Sequence, residues 1–112
     1  MPLQEEITEL LRMPEDGSDA PSLDAIESTL TDGYAEALVL EAERSRIERR
    51  LGEVVRDAGE VSAHSVATEL AELSERLDKA DDKLVRLRSL LLDLQARRRL
   101  ARSGQDRRSR SL

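Results

Sequence analysis

Two runs of apolar residues, spaced alternately three and four apart, constrain this chain more than any other feature of its sequence. The first passes through Leu23, Ile26, Leu30, Gly33, Ala37, Leu40, Arg44, Ile47, Leu51, Val54 and Ala58. The second passes through Val66, Leu70, Leu73, Leu77, Ala80, Leu84, Leu87, Leu91, Leu94, Arg98 and Ala101. This spacing is the seam of a coiled coil, narrower than the stripe of an ordinary globular helix. Each seam holds for about five heptads, past the three or four at which the pattern becomes diagnostic.

The segment between the runs breaks the pattern. Gly59, Glu60 and Val61 precede Ser62 and Ser65, either of which suits the cap of a new helix, and with Ser62 as cap Val61 and Val66 stand where a hydrophobic staple would place them. A connection this short makes the two helices antiparallel neighbours. A single helix running through the region would carry Gly52 and Gly59 at a cost of about 1 kcal/mol each, which disfavours it. Antiparallel pairing sets each a position against a d position. The register that matches large to small side chains opposes Val54 to Leu70, Leu51 to Leu73, Ile47 to Leu77, Arg44 to Ala80, Leu40 to Leu84, Gly33 to Leu91 and Leu30 to Leu94. Slipping by one heptad would face Ala37 with Ala80 and leave a void worth about 1 kcal/mol or more. The chosen register also brings Arg50 near Glu69, and Glu43 near Lys83 and Arg76.

The predicted fold is therefore all-α: an antiparallel two-helix coiled-coil hairpin over residues 22–102, turning at about 58–65. Two helices alone bury little surface. The chain has one aromatic residue, Tyr34, and no Cys, Trp or Phe, so a thick core is out of reach and the expected solution is a homodimer, with two hairpins forming a four-helix bundle.

Residues 1–13 read as a short amphipathic helix, with Leu3, Ile7, Leu10 and Leu11 on one face, Pro2 in the first turn and Glu5 and Glu6 suited to a helix N-terminus. Too small to persist alone, it either folds onto its own hairpin or a dimer mate, or docks in the groove of a partner. Residues 14–21, with Pro14, Gly17, Pro21 and three acids, read as an acidic flexible linker. Residues 103–112 read as a disordered basic tail, because Ser103, Gly104 and Gln105 interrupt the helical pattern.

Net charge is −6. Most of the arginines fall in the second half, so the acidic first run and the basic second run neutralise each other when paired. The preponderance of Arg over Lys fits a GC-rich bacterial genome. No leader pattern and no apolar stretch of membrane-spanning length are present, so the expected location is the cytoplasm.

Little in the chain suggests chemistry. The single histidine, His64, lies at the loop beside Ser62 and Ser65 without an orienting acid or a walled pocket. Glu41, Glu48 and Asp81 fall near the seam residue Arg44. Without the Glu-x-x-His element of di-metal bundles, they read as ion-pair partners of Arg44 and Arg88. No phosphate loop, zinc spacing or nucleophile motif occurs. The expectation is a protein that is not an enzyme, with no cofactor, no metal and no small-molecule substrate.

The apolar residues left outside the seam point to binding. Tyr34, Leu38, Val85 and Leu92, with Arg88 set for a cation–π contact with Tyr34, form the expected partner-binding patch, together with Leu3, Ile7, Leu10 and Leu11 of the N-terminal helix. The expected function is a small cytoplasmic adaptor or regulatory protein. The alternative is a nucleic-acid-associated or anionic-surface-binding protein acting through Arg97, Arg98, Arg99, Arg102, Arg107, Arg108 and Arg110. These lack the interleaved aromatics that stack on bases.

Overall fold

A computed structural model describes the chain from Pro2 to Arg110, with side chains described through Gln105. Its described residues form three α-helices, α1 (Leu3–Arg12), α2 (Leu23–Arg56) and α3 (Ala63–Arg110), with one 3-10 turn, Ala58–Glu60, between α2 and α3. The helices α2 and α3 pack together, and no described helix is long and apolar enough to cross a membrane. By compactness the chain divides into two units. Unit 1 comprises Met1–Glu36 with Arg86–Leu112, and unit 2 comprises Ala37–Val85.

Local chemistry sets the helix limits. Ser22 Oγ accepts from the Ala25 N–H at 3.1 Å and begins α2. Ser62 Oγ accepts from the Ser65 N–H at 3.2 Å, so Ser62, not Ser65, is the cap of α3. Each cap satisfies one of the donors that a helix start leaves without an internal partner. Between them the Glu60 N–H donates to the Asp57 carbonyl at 3.0 Å, and Val61 is extended. Helix α2 thus stops where Gly59 predicts a break.

Unit 2 contains the last part of α2, the turn and the first part of α3. Ile47, Val54, Leu73 and Ala80 form its buried cluster, with Leu51, Val66, Leu70 and Leu77 packed against it, and Leu40 and Leu84 are also buried. All ten are seam positions. Within unit 2, two ion pairs among the described residues cross from α2 to α3: Arg50 to Glu69 at 2.6 Å and Arg44 to Asp81 at 3.2 Å. Partners on α3 rise in number as those on α2 fall, the order that antiparallel pairing requires. The expected approach of Glu43 to Lys83 and Arg76 yields no ion pair among the described residues.

Unit 1 adds α1. Ile7, Ile26, Leu30, Leu87, Leu91 and Leu94 are buried there, and so is Gly33. A Cβ built on Gly33 would collide with Leu91 Cδ2, so the absence of a side chain lets Leu91 reach the α2 backbone. This places Gly33 against Leu91, as the seam pattern predicts. The Tyr34 hydroxyl accepts from Gln95 Nε2, and Arg102 Nη2 donates to Glu27 Oε1 at 3.0 Å.

At the C-terminus the helix departs from expectation, since α3 continues to Arg110 through residues assigned to a disordered tail. Once nucleated, a helix gains a backbone hydrogen bond for each residue added. Ser103 and Gly104 together cost about 1 to 1.5 kcal/mol in propensity, too little to end a 48-residue helix.

Candidate functional site

The N-terminal helix is seated in cis on unit 1. Its side chains line one cleft with Ser28, Thr29 and Asp32 of α2, and another with Arg86, Ser89 and Leu90 of α3. Between these edges Ile7 is completely buried, while Leu3, Leu10 and Leu11 are half-buried. Of the four residues expected to meet a partner, Leu10 lines the cleft on the α2 side, and Ile7 is not available to a second protein while α1 is seated.

Arg97 holds the end of α1. Its side chain is buried, and Nη2 donates to the carbonyls of Leu10 at 3.3 Å, Leu11 at 3.1 Å and Met13. The last carbonyls of a helix are short of internal donors, the Met13 N–H to the Leu10 carbonyl at 3.3 Å being one that remains, and they carry partial negative charge, so a buried cation there answers both needs. Burial among hydrogen-bond acceptors makes Arg97 a structural cap, which removes it from the arginines expected to contact nucleic acid. Arg98, at a seam position, is half-buried, and its Nε has no hydrogen-bond partner. Arg99 is exposed, Arg102 pairs with Glu27, and the side chains of Arg107, Arg108 and Arg110 lie outside the described residues.

Each unit leaves apolar side chains in solvent. In unit 2, Leu38 and Val85 are 66% and 65% exposed, and Val39 and Val55 are also exposed. In unit 1, Leu92 is 65% exposed and Tyr34 43%. Arg88 is exposed and itself partnered. On unit 1, α1 lies beside Ser28, Asp32 and Leu90, while Tyr34 and Leu92 are exposed.

Arg44 is the polar member of its seam. Its Nε lies 3.1 Å from Glu48 Oε1 and 3.2 Å from Asp81 Oδ1, and the side chain is 43% exposed. The Glu48 hydrogen bond, followed by the charges of Asp81, Glu48 and Glu41, holds its pKa above the ordinary arginine value. Ala80, the residue the seam pattern sets against it, is buried, and the guanidinium meets one acid of each helix. Arg50, between Glu69 and Glu53, is raised in the same way, first by its hydrogen bond to Glu69.

These carboxylates are spent on arginines, and among the described residues no group of three or more His, Asp or Glu side chains is placed to hold a metal. His64 is exposed, with only its carbonyl engaged, by the Thr68 hydroxyl at 3.0 Å. A cleft of about 870 Å³, open to solvent, lies in unit 1 between the linker and the end of α3. Among the described residues its ionisable lining side chains are Glu15 and Asp16. No family model, curated protein or solved structure matches the chain.

The sequence pattern misses two residues of the α1 seat, Leu90 and Arg97. They stand seven positions apart on α3, both one step before a seam position. That recurrence marks a second stripe beside the seam and is the signal from which a third helix can be read.

Proposed function

We propose that this chain is a non-enzymatic protein–protein interaction module: an antiparallel coiled-coil hairpin that pairs with a second copy as a four-helix bundle and acts as a small cytoplasmic adaptor or regulatory protein. The observation that supports this reading is the exposure of Leu38 and Val85 in unit 2, and of Tyr34 and Leu92 in unit 1, on helices whose apolar seam residues are buried or half-buried. Covering such side chains contributes roughly 1.5 to 3 kcal/mol each before the costs of association. The competing reading, nucleic-acid or anionic-surface binding through the C-terminal arginines, is weakened because Arg97 and Arg102 already have partners within the chain.

Sedimentation equilibrium tests the choice. The wild type is expected to be dimeric, Leu38→Glu with Leu92→Glu to shift it to monomer, and truncation after Arg102 to leave it dimeric. A double variant that stays dimeric, with a truncation that does not, would transfer the function to the arginine-rich end.

A further inference from the structure

We infer that α1 is a removable plug, and that its seat on unit 1 is a docking groove for a partner's amphipathic helix with an acidic edge facing Arg86, a basic or neutral edge facing Asp32, and an aliphatic knob between them. The inference shares with the proposed function only the premise that the chain binds protein. It concerns a different surface.

Three features mark α1 as held from outside rather than by its own sequence. At ten residues it is below the length of about 12 to 15 at which isolated helices persist. Its N-cap is Pro2, which makes no side-chain capping bond. Its C-terminal carbonyls are engaged by Arg97, which belongs to α3. The tether from Arg12 to Asp19 is exposed and turns at Gly17, where φ is +90°, with the Ala20 N–H donating to the Gly17 carbonyl at 3.3 Å. Leaving the seat therefore breaks docking contacts without dismantling the α2–α3 seam.

The vacated seat would be selective. It presents the hole of Ile7, the half-buried Leu90, and an Arg97 guanidinium stripped of three acceptors in a partly apolar setting, where a donor without a partner is unfavourable. A helix ending at Arg97 supplies those acceptors, as α1 does. The two edges differ in charge. On the α3 side, Glu5, Glu9 and Arg12 share a cleft with Arg86, an edge with two acids and one cation of α1 against one arginine of α3 and so complementary on balance. On the α2 side, Glu6 and Glu9 share a cleft with Asp32, where like charges oppose seating. The plug is thus imperfect at the Asp32 edge, and a helix carrying a cation at the place of Glu6 fits better than α1 itself.

Tethering determines how much better the partner must be. A short flexible linker holds α1 at an effective concentration of about millimolar, so a helix of equal affinity cannot displace it at ordinary concentrations. Only a helix that corrects the Asp32 edge gains entry, which makes α1 a filter.

The test uses the full chain and two labelled synthetic peptides: residues 2–13 as they stand, and the same peptide with Glu6→Lys. Fluorescence anisotropy should show weak binding of the native peptide to wild type, and binding at least tenfold tighter to Ile7→Glu, whose own α1 has lost its anchor. The Glu6→Lys peptide should bind Ile7→Glu several-fold tighter than the native peptide does, with the advantage shrinking as salt rises. Adding Arg97→Leu to Ile7→Glu should weaken peptide binding at least tenfold. Equal binding to wild type and Ile7→Glu, or none to either, overturns the inference, as does loss of α2 and α3 helicity in Ile7→Glu. On the wild type, hydrogen exchange gives an independent check: α1 amides should exchange through local opening, ahead of those of Leu91 and Leu94. Exchange of all of them together would make α1 an integral part of the core. Peptide binding by a chain that proves monomeric keeps the groove and refutes the dimer, so the two readings fail separately.

Discussion

Unit 1 and unit 2 draw on the same pair of helices, but only unit 1 has a third helix against it. In unit 1, Ile7, Ile26, Leu30, Leu87 and Leu94 are fully excluded from solvent, whereas in unit 2 only Ile47 and Leu84 reach that state. The seam residues Leu51, Val66, Leu70 and Leu77 of unit 2 remain half-buried. A heptad seam between two helices is covered from within and left open along both flanks. A ten-residue helix on one flank is enough to close it. The difference also locates the shortage of cover: unit 2 keeps two open flanks together with the exposed Leu38, Val39, Val55 and Val85.

Truncating matched seam leucines gives the largest expected effect and the most direct way to break this comparison. Leu94→Ala empties a fully enclosed site and is expected to cost about 4 to 5 kcal/mol. Leu73→Ala, at a site that solvent and neighbours can partly fill, is expected to cost about 2 to 3 kcal/mol, because the cost of a cavity grows with how little its walls relax. Urea denaturation monitored by circular dichroism measures both. Equal losses would mean that unit 2 is as well enclosed as unit 1, with a second copy on its flanks the direct explanation.

The contrast between the units also separates what a heptad pattern reveals from what it conceals. Large-against-small matching identifies Gly33 with Leu91, and charge placement identifies Arg50 with Glu69, because both depend on a repeat whose phase is visible in the chain. The start of α3 is legible as far as the choice between Ser62 and Ser65, and the staple positions of Val61 and Val66 go with Ser62 as the cap. Arg97 is not legible in this way. Its partners Leu10, Leu11 and Met13 lie far away in sequence and contribute backbone carbonyls, which no side-chain pattern encodes. The same limit applies to the docked state of α1: an amphipathic face with Ile7 at its centre shows that something covers it, and gives no information on whether the cover is in cis or in trans. The helix beyond residue 103 is not legible either, because Ser103 and Gly104 read as breakers while propensity is a weak term at the end of a long, already nucleated helix.

The glycines of α2 give an intermediate test of opposite sign in the two units. Gly33→Leu forces a branched side chain against Leu91 in a filled core and should lower stability by about 1 to 3 kcal/mol. At Gly52 a Cβ meets nothing closer than Arg56 Nη1 at 3.9 Å, so Gly52→Ala adds no clash and removes backbone freedom from the unfolded chain. Stability should then rise by up to about 1 kcal/mol, seen as a higher melting temperature. If Gly33→Leu is neutral, Leu91 has room to move and unit 1 is less tightly filled than its buried residues indicate.

The smallest expected effects concern the arginines of unit 2, where charge placement sets register more than it adds stability. Arg50 and Glu69 are 51% and 39% exposed, and Arg44 and Asp81 both 43%, so water and salt screen both pairs. Their raised arginine pKa values give a stabilising contribution that is fully present below the unfolded arginine pKa and lost only as pH rises through the folded value. Ordinary changes around neutral pH should therefore leave the arginine side of these pairs unchanged. Arg50→Ala is expected to leave the melting temperature almost where it was. Arg44→Leu removes a cation from an otherwise apolar seam opposite Ala80, and should raise the melting temperature or leave it unchanged while broadening the distribution of oligomeric states in sedimentation velocity, as loss of a polar register marker does in coiled coils. A large drop in stability on Arg44→Leu would instead show that Glu48 and Asp81 depend on Arg44 for compensation, giving unit 2 a polar network in place of the third helix that completes unit 1.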